Sequence, residues 1–300
     1  MREEIRKIQD MMEAAEYVTD APVATSVHLA MRLRKPLLIE GPAGVGKTEV
    51  AKVMARVLTT NLIRLQCYEG LDVSTALYEW NYQKQLLHIK LGEASHNNRA
   101  VSEQEHEIFS EPFLLRRPLL QAITQESQAP VLLVDECDRT DEEFEAFMLE
   151  VFSEWQVTIP EIGTIKATHP PHVILTSNRT RELSDALRRR CLYLWIDYPT
   201  PDKELRIIAR KVPGINQRLA REIAKFMETL RQVRLAKVPG VAETLDWAQA
   251  LASLHADHID DALVAETLGC VLKDVDDMKR FRAEVAKNGL SPFLPTPTPS

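Results

Sequence analysis

Apolar residues recur at helical spacing at the start of the chain, at Ile5, Ile8, Met12 and Ala15 and again at Ala24, Val27, Leu29, Ala30 and Leu33. Two helices are expected there, the second stopped by Pro36. The pattern then changes to short, largely apolar runs: Leu37-Leu38-Ile39, Leu62-Ile63-Arg64-Leu65, Val131 to Val134, Val173 to Thr176 and Leu192 to Ile196. Runs without polar alternation read as strands covered on both faces, the habit of a parallel sheet flanked by helices. Helices are expected over Glu49 to Leu58, Leu114 to Ile123 and Glu143 to Phe152, and a hairpin with strands Val157 to Ile159 and Thr164 to Ala167 about Glu161-Ile162-Gly163. Between Cys67 and Leu91 the signals conflict. Tyr78, Trp80 and Tyr82 alternate as in a hairpin, while Leu77, Trp80, Leu87 and Leu91 fit a helix. The polar stretch Glu93 to Glu111 reads as a loop or a solvated helix edge.

After Pro199 only helical patterns remain, over Asp202 to Lys211, Gln217 to Val233, Glu243 to Leu254 and Asp260 to Lys287. The expected organisation is an α/β domain over 1–199, a smaller all-helical domain over 200–290, and a disordered tail over 291–300, which holds four prolines.

Composition narrows the function. The 300 residues, 45 % hydrophobic, suffice for a sizeable core. The balance of 37 basic against 44 acidic residues, −7 overall, argues against a broad nucleic-acid surface and for a protein partner. Cys67, Cys137, Cys191 and Cys270 lack any paired spacing, so neither a zinc site nor a disulfide framework is expected. No apolar run reaches the length of a membrane span and no signal core opens the chain, so a cytoplasmic protein with reduced thiols is expected.

The candidate chemistry begins directly after the first apolar run. Gly41-Pro42-Ala43-Gly44-Val45-Gly46-Lys47-Thr48 is G-x-x-x-x-G-K-[ST]. Glycines let consecutive backbone N–H groups curl around phosphate oxygens, and the following helix presents the positive end of its dipole. Lys47 would reach the β- and γ-phosphates of ATP, and the Thr48 hydroxyl would ligate Mg²⁺. The run Val131 to Val134 ends in Asp135 and Glu136. Asp135 would hold Mg²⁺ through water, and Glu136 would orient the water that attacks the γ-phosphate. In a parallel sheet both segments arrive at one edge. Asn178, ending the next run, would hydrogen-bond the γ-phosphate or that water. Arg188, Arg189 and Arg190 read either as a solvated helix end or as cations awaiting an anion. Tyr17-Val18-Thr19-Asp20 fits an adenine rest and a plain interhelix turn equally well.

Gly41 to Thr48, Val131 to Glu136, Thr176-Ser177-Asn178 and Leu187 to Cys191, in this order before a helical domain, resemble an AAA+ ATPase. The resemblance implies a parallel five-stranded P-loop sheet and a helical lid. It assigns Lys47 and Thr48 to Walker A, Asp135 and Glu136 to Walker B, Asn178 to sensor 1, and Arg190 to the arginine finger, with Arg189 its nearest competitor. Arg117 to Ala122, Asp141 to Phe144, the hairpin and Leu175 to Arg179 are similar to the MoxR branch. Within it, Gln66 to Gly70, Tyr78-Glu79-Trp80 and Gly240 to Trp247 resemble the type associated with maturation of molybdenum- and copper-containing carbon monoxide dehydrogenase. Such proteins form hexameric rings and work with von Willebrand factor A domain partners on client metalloenzymes. One departure stands out: where MoxR relatives carry a sensor 2 arginine, this chain has Gly240-Val241-Ala242-Glu243-Thr244, and Glu243 cannot donate to a phosphate.

The expected function is thus an ATP-hydrolysing remodelling chaperone. The alternatives are an AAA+ nucleic-acid motor or loader, which would need a basic groove or an attached helix-turn-helix, and a nucleotide-gated switch with little turnover, disfavoured by Glu136 and Asn178.

Overall fold

The computed structural model describes residues 2–94 and 106–295. Helices α1 (Arg2–Ala14) and α2 (Ala21–Leu33) come first, and the Asp20 carboxylate caps α2 by accepting from the Val23 N–H at 3.2 Å. Strand β1 (Leu37–Glu40) leads through the phosphate loop into α3 (Lys47–Val57), and β2 (Leu62–Gln66) follows.

The segment whose signals conflicted is both things in turn. After α4 (Val73–Ala76), strand β3 (Tyr78–Trp80) is followed by helix α5 (Tyr82–Ala94). Strand β4 (Leu114–Arg116) then returns antiparallel to β3, pairing Tyr78 with Arg116 and Trp80 with Leu114. Leu114 to Ile123 is therefore not one helix. Arg117 is extended, as a residue before proline prefers, and α6 (Pro118–Ile123) starts only at Pro118. Helix α5 is turned outward: Tyr82, Leu86, Leu87 and Leu91 are each about 60 % exposed, whereas Gln85 is buried and donates to the Ile108 carbonyl. The polar stretch after it lies largely outside the described residues.

Strand β5 (Val131–Asp135), helix α7 (Glu142–Glu154), the hairpin β6 (Gln156–Ile159) and β7 (Gly163–Lys166), strand β8 (His172–Ser177), helix α8 (Asp185–Arg190) and strand β9 (Leu192–Trp195) complete the α/β part. Five of the strands form one parallel sheet, ordered β2-β5-β8-β1-β9. Their largely apolar sequences are explained by two cores. Leu38, Leu132, Val134, Val173 and Leu175 join one cluster with α6 and α7, and Leu37, Ile39, Val131, Leu133 and Ile174 join another with α2 and α3. Alternate side chains point to opposite faces; the central strands β5, β8 and β1 are covered on both, while the edge strands leave Arg64, Gln66, Tyr193 and Trp195 exposed.

Helices α9 (Pro201–Lys211), α10 (Gln217–Leu230), α11 (Val241–Ser253), α12 (Asp261–Val271) and α13 (Val275–Asn288) share a core of their own. The expected single helix over Asp260 to Lys287 is broken: Leu272 is extended, and the Asp274 carboxylate caps α13 by accepting from the N–H groups of Asp276 and Asp277. Asp277, freed on α13, accepts from Ala236 and Lys237 and ties down the loop before α11. The start of the expected tail is ordered. Ser291–Phe293 is a turn of 3-10 helix, and the Phe293 ring, 2 % exposed, lies 5.4 Å from Phe226 between centroids. Residues 296–300 lie outside the described part.

The helical part grips the rest by charge. Lys203 pairs with Asp20 at 2.7 Å and Arg206 with Glu13 at 2.8 Å. Within it, Arg231 forks onto Glu204 at 2.6 and 2.7 Å, both side chains buried, and the Thr244 hydroxyl donates to the same carboxylate. Among the described residues no helix is long and apolar enough to cross a membrane.

Candidate nucleotide-binding site

The phosphate loop runs from the C-terminal end of β1 to the N-terminus of α3, and its glycines are required for two different reasons. Gly44 and Gly46 have φ of 76° and 92°, a left-handed backbone that side chains resist. At Gly41 the constraint is space, for a Cβ there would meet the Ile196 carbonyl oxygen at 1.9 Å. With Gly46 at the N-cap, no side chain caps α3, which leaves its first N–H groups for an anion.

Lys47 is buried, and its Nζ donates to the Gly41 carbonyl at 2.8 Å, the Pro42 carbonyl at 2.7 Å and Asn178 Oδ1 at 2.7 Å. Burial holds its ammonium below the usual lysine range, opposed by the carboxylates of Asp138, Asp135 and Glu136. Asp135 is the hub of the site. Its Oδ1 accepts from Thr48 Oγ1 at 3.0 Å and from Thr176 Oγ1 at 2.6 Å, and its Oδ2 accepts from Arg64 Nε at 3.0 Å. Thr176 Oγ1 in turn accepts from the Glu136 N–H at 2.9 Å. Glu136 leaves the strand in a left-handed conformation, φ 57°, and its carboxylate pairs with Arg139 at 2.8 Å.

These groups line a cleft of about 460 Å³, of a size that suits a nucleotide. Tyr17 and Val18 line it as well, and burial raises the Tyr17 phenol far above its ordinary range. Asp20 does other work, capping α2 and holding Lys203. From the helical part, Lys203, Val241, Ala242 and Leu245 close the cleft. The N-terminus of α11 touches the phosphate loop itself: the Val241 N–H donates to the Gly44 carbonyl at 2.8 Å, and a Cβ on Gly240 would come within 2.7 Å of Gly44. Glu243 sits one turn in and accepts from the Gly240 N–H at 2.8 Å. It caps the helix and offers phosphate nothing.

Sequence reasoning placed Lys47, Thr48, Asp135, Glu136 and Asn178 together, and they are together. Arg190 is elsewhere. It ends α8 at the N-terminal end of β9, while the phosphate loop leaves the C-terminal end of the neighbouring parallel strand β1. Its Nη1 donates to the Leu149 carbonyl at 3.0 Å and Ser153 Oγ at 2.8 Å. Arg189 is exposed and, among the described residues, pairs with Asp185 at 3.8 Å, and Arg188 lies over the Tyr193 ring. Sequence reasoning missed Thr176 as a partner of Asp135, the contact of Gly240 with Gly44, and Arg64. The last had a signal, a charge inside the apolar run Leu62 to Leu65.

A parallel sheet with strand order β2-β5-β8-β1-β9, a glycine loop seated on a helix N-terminus, and paired acids two strands over, beyond β8, define a P-loop ATPase. Residues 36–191, just over half of the chain, match the AAA domain family of the dynein-related subfamily, and the chain belongs to that family. An uncharacterized protein of Staphylococcus epidermidis is 24 % identical over 227 residues, 74 % of this chain and 78 % of that protein. One of Staphylococcus aureus is 24 % identical over 242 residues, 79 % of this chain and 82 % of that protein. Among solved structures, a RuvB mutant from Thermotoga maritima superposes with a TM-score of 0.51 at 18 % identity, covering 95 % of this chain and 76 % of that one. A second RuvB mutant gives 0.51 at 19 % identity, covering 93 % and 88 %. At such identity the likeness speaks for the fold alone.

Proposed function

We propose that this ATPase is a MoxR-type AAA+ chaperone that remodels a client protein during metal-centre assembly, as in carbon monoxide dehydrogenase. The observation that carries the hydrolytic reading is the convergence of Lys47, Thr48, Asp135, Glu136 and Asn178 at one end of the sheet. The backbone from Gly41 through Pro42, Ala43, Gly44, Val45 and Gly46 cradles the phosphates, and Lys47 exchanges its carbonyl partners for phosphate oxygens. The Thr48 hydroxyl and Asp135 carboxylate, 3.0 Å apart, are hard oxygen donors that suit Mg²⁺, Asp135 acting through water. That ion would neutralise charge on the β- and γ-phosphates. Glu136 polarises the attacking water, and Asn178 positions it. Arg190 serves the site of a neighbouring chain in a head-to-tail ring, a hexamer, located in the cytoplasm.

A protein client is favoured over nucleic acid by two features: the outward apolar side chains Tyr82, Leu86, Leu87 and Leu91 of α5, and the net charge of −7. The test is phosphate release with DNA, RNA or a von Willebrand factor A domain partner added. Only the protein is expected to stimulate. Stimulation by nucleic acid that declines steeply with salt would instead make the chain a nucleic-acid motor.

A further inference from the structure

Arg64 is a charged residue with no part in cradling phosphate. It stands on the edge strand β2, opposite Leu133 of β5, and Gln66 stands opposite Asp135. Its guanidinium reaches along the strand to the buried Asp135 carboxylate, with Nε 3.0 Å and Nη2 2.5 Å from Oδ2, and Nη2 also donates to Gln66 Oε1. Arg64 is absent from the cleft lining, and its side chain is half exposed against 4 % for Asp135. Asp135 has no other salt bridge among the described residues, for Lys47 is engaged with Gly41, Pro42 and Asn178. The acid assigned to the metal is thus already neutralised by the chain itself.

We propose that Arg64 is the resident counter-ion of Asp135, displaced when Mg²⁺ enters, and that it sets the Mg²⁺ concentration at which the site loads. The proposal rests on the reading of Asp135 as the metal-side carboxylate. A buried carboxylate without a cation is costly, so an empty site needs a substitute charge. A guanidinium on a long, half-exposed side chain supplies it and can withdraw. Mg²⁺ must break this pair and then tolerate a positive charge a few ångströms away, which weakens its binding. Removing Arg64 should therefore tighten metal binding, the opposite of what damage to the site would do.

The experiment uses full-length chain carrying Glu136→Gln to suppress hydrolysis, and titrates Mg²⁺ while following ATP affinity by calorimetry and the unfolding temperature. With Arg64→Gln, half-saturating Mg²⁺ is expected to fall roughly ten-fold. The metal-free protein should melt lower and gain more from Mg²⁺. Arg64→Lys, which keeps the charge but loses the fork, should fall between. An unchanged or higher half-saturation in Arg64→Gln overturns the proposal. Should that variant not fold, Arg64→Lys decides: a lowered value supports displacement, an unmoved or raised one overturns it. If ATP binding by the parent shows no dependence on Mg²⁺ at all, the reading of Asp135 fails instead.

Discussion

Lys47 donates to three protein oxygens, so phosphate binding exchanges partners and does not satisfy an idle cation. Removing it removes the charge that grips the phosphates, whereas Glu136 acts only on water. Lys47→Ala should therefore weaken ATP binding roughly a hundred-fold. Glu136→Gln should bind normally and hydrolyse roughly 10²–10⁴-fold more slowly. Nucleotide titration and phosphate release separate the two, and equal ATP affinity in the parent and Lys47→Ala would remove the phosphate-loop reading. Lys47, Thr48, Asp135 and Glu136 were legible because their chemistry is written in local spacing. The pairings of Thr176 and Arg64 with Asp135 were not, since they arise only through strand order: β8 and β2 flank β5, and a one-dimensional pattern does not say which strands are neighbours.

The elements were legible where period and punctuation agreed. The five apolar runs became five strands, and the hairpin about Glu161-Ile162-Gly163 formed as expected. Failures occurred where one residue overruled a periodic pattern, Pro118 splitting a presumed helix at its start and Asp274 splitting another by offering a cap. The tail failed for a different reason. Prolines suggested disorder, but Phe293 lies against Phe226 and Phe281, with centroids 5.4 and 5.3 Å away. Deleting a buried ring of this kind removes transfer free energy and leaves a cavity. Phe293→Ala should lower stability by about 3–5 kcal/mol, read by denaturant unfolding. A Phe293→Ala midpoint matching the parent would mean that the turn contributes nothing to the core.

At the scale of the whole molecule, Arg190 and Lys47 lie at opposite ends of adjacent parallel strands, so the proposed finger would have to serve the site of another chain. Arg190→Ala should bind ATP yet hydrolyse it roughly 10³-fold more slowly. Mixed with Lys47→Ala, it should regain activity, because it lends a sound phosphate loop to a neighbour with a sound arginine. About a quarter of the interfaces in a random head-to-tail ring are then whole. Labelled chains must first show subunit exchange. Rescue with Arg189→Ala in place of Arg190→Ala, and in that mixture alone, would transfer the role to Arg189. The contact between Gly44 and the tip of α11 has a mechanical consequence. Trp247, Ala248 and Leu251 of the same helix are buried in the core that α9 to α13 share, and the Thr244 hydroxyl ties the helix to Glu204 of α9, so it is not free to turn alone. A displacement of the phosphate loop would therefore be handed through the Val241–Gly44 hydrogen bond to the helical part as one body, the bond serving as a push-rod between the two.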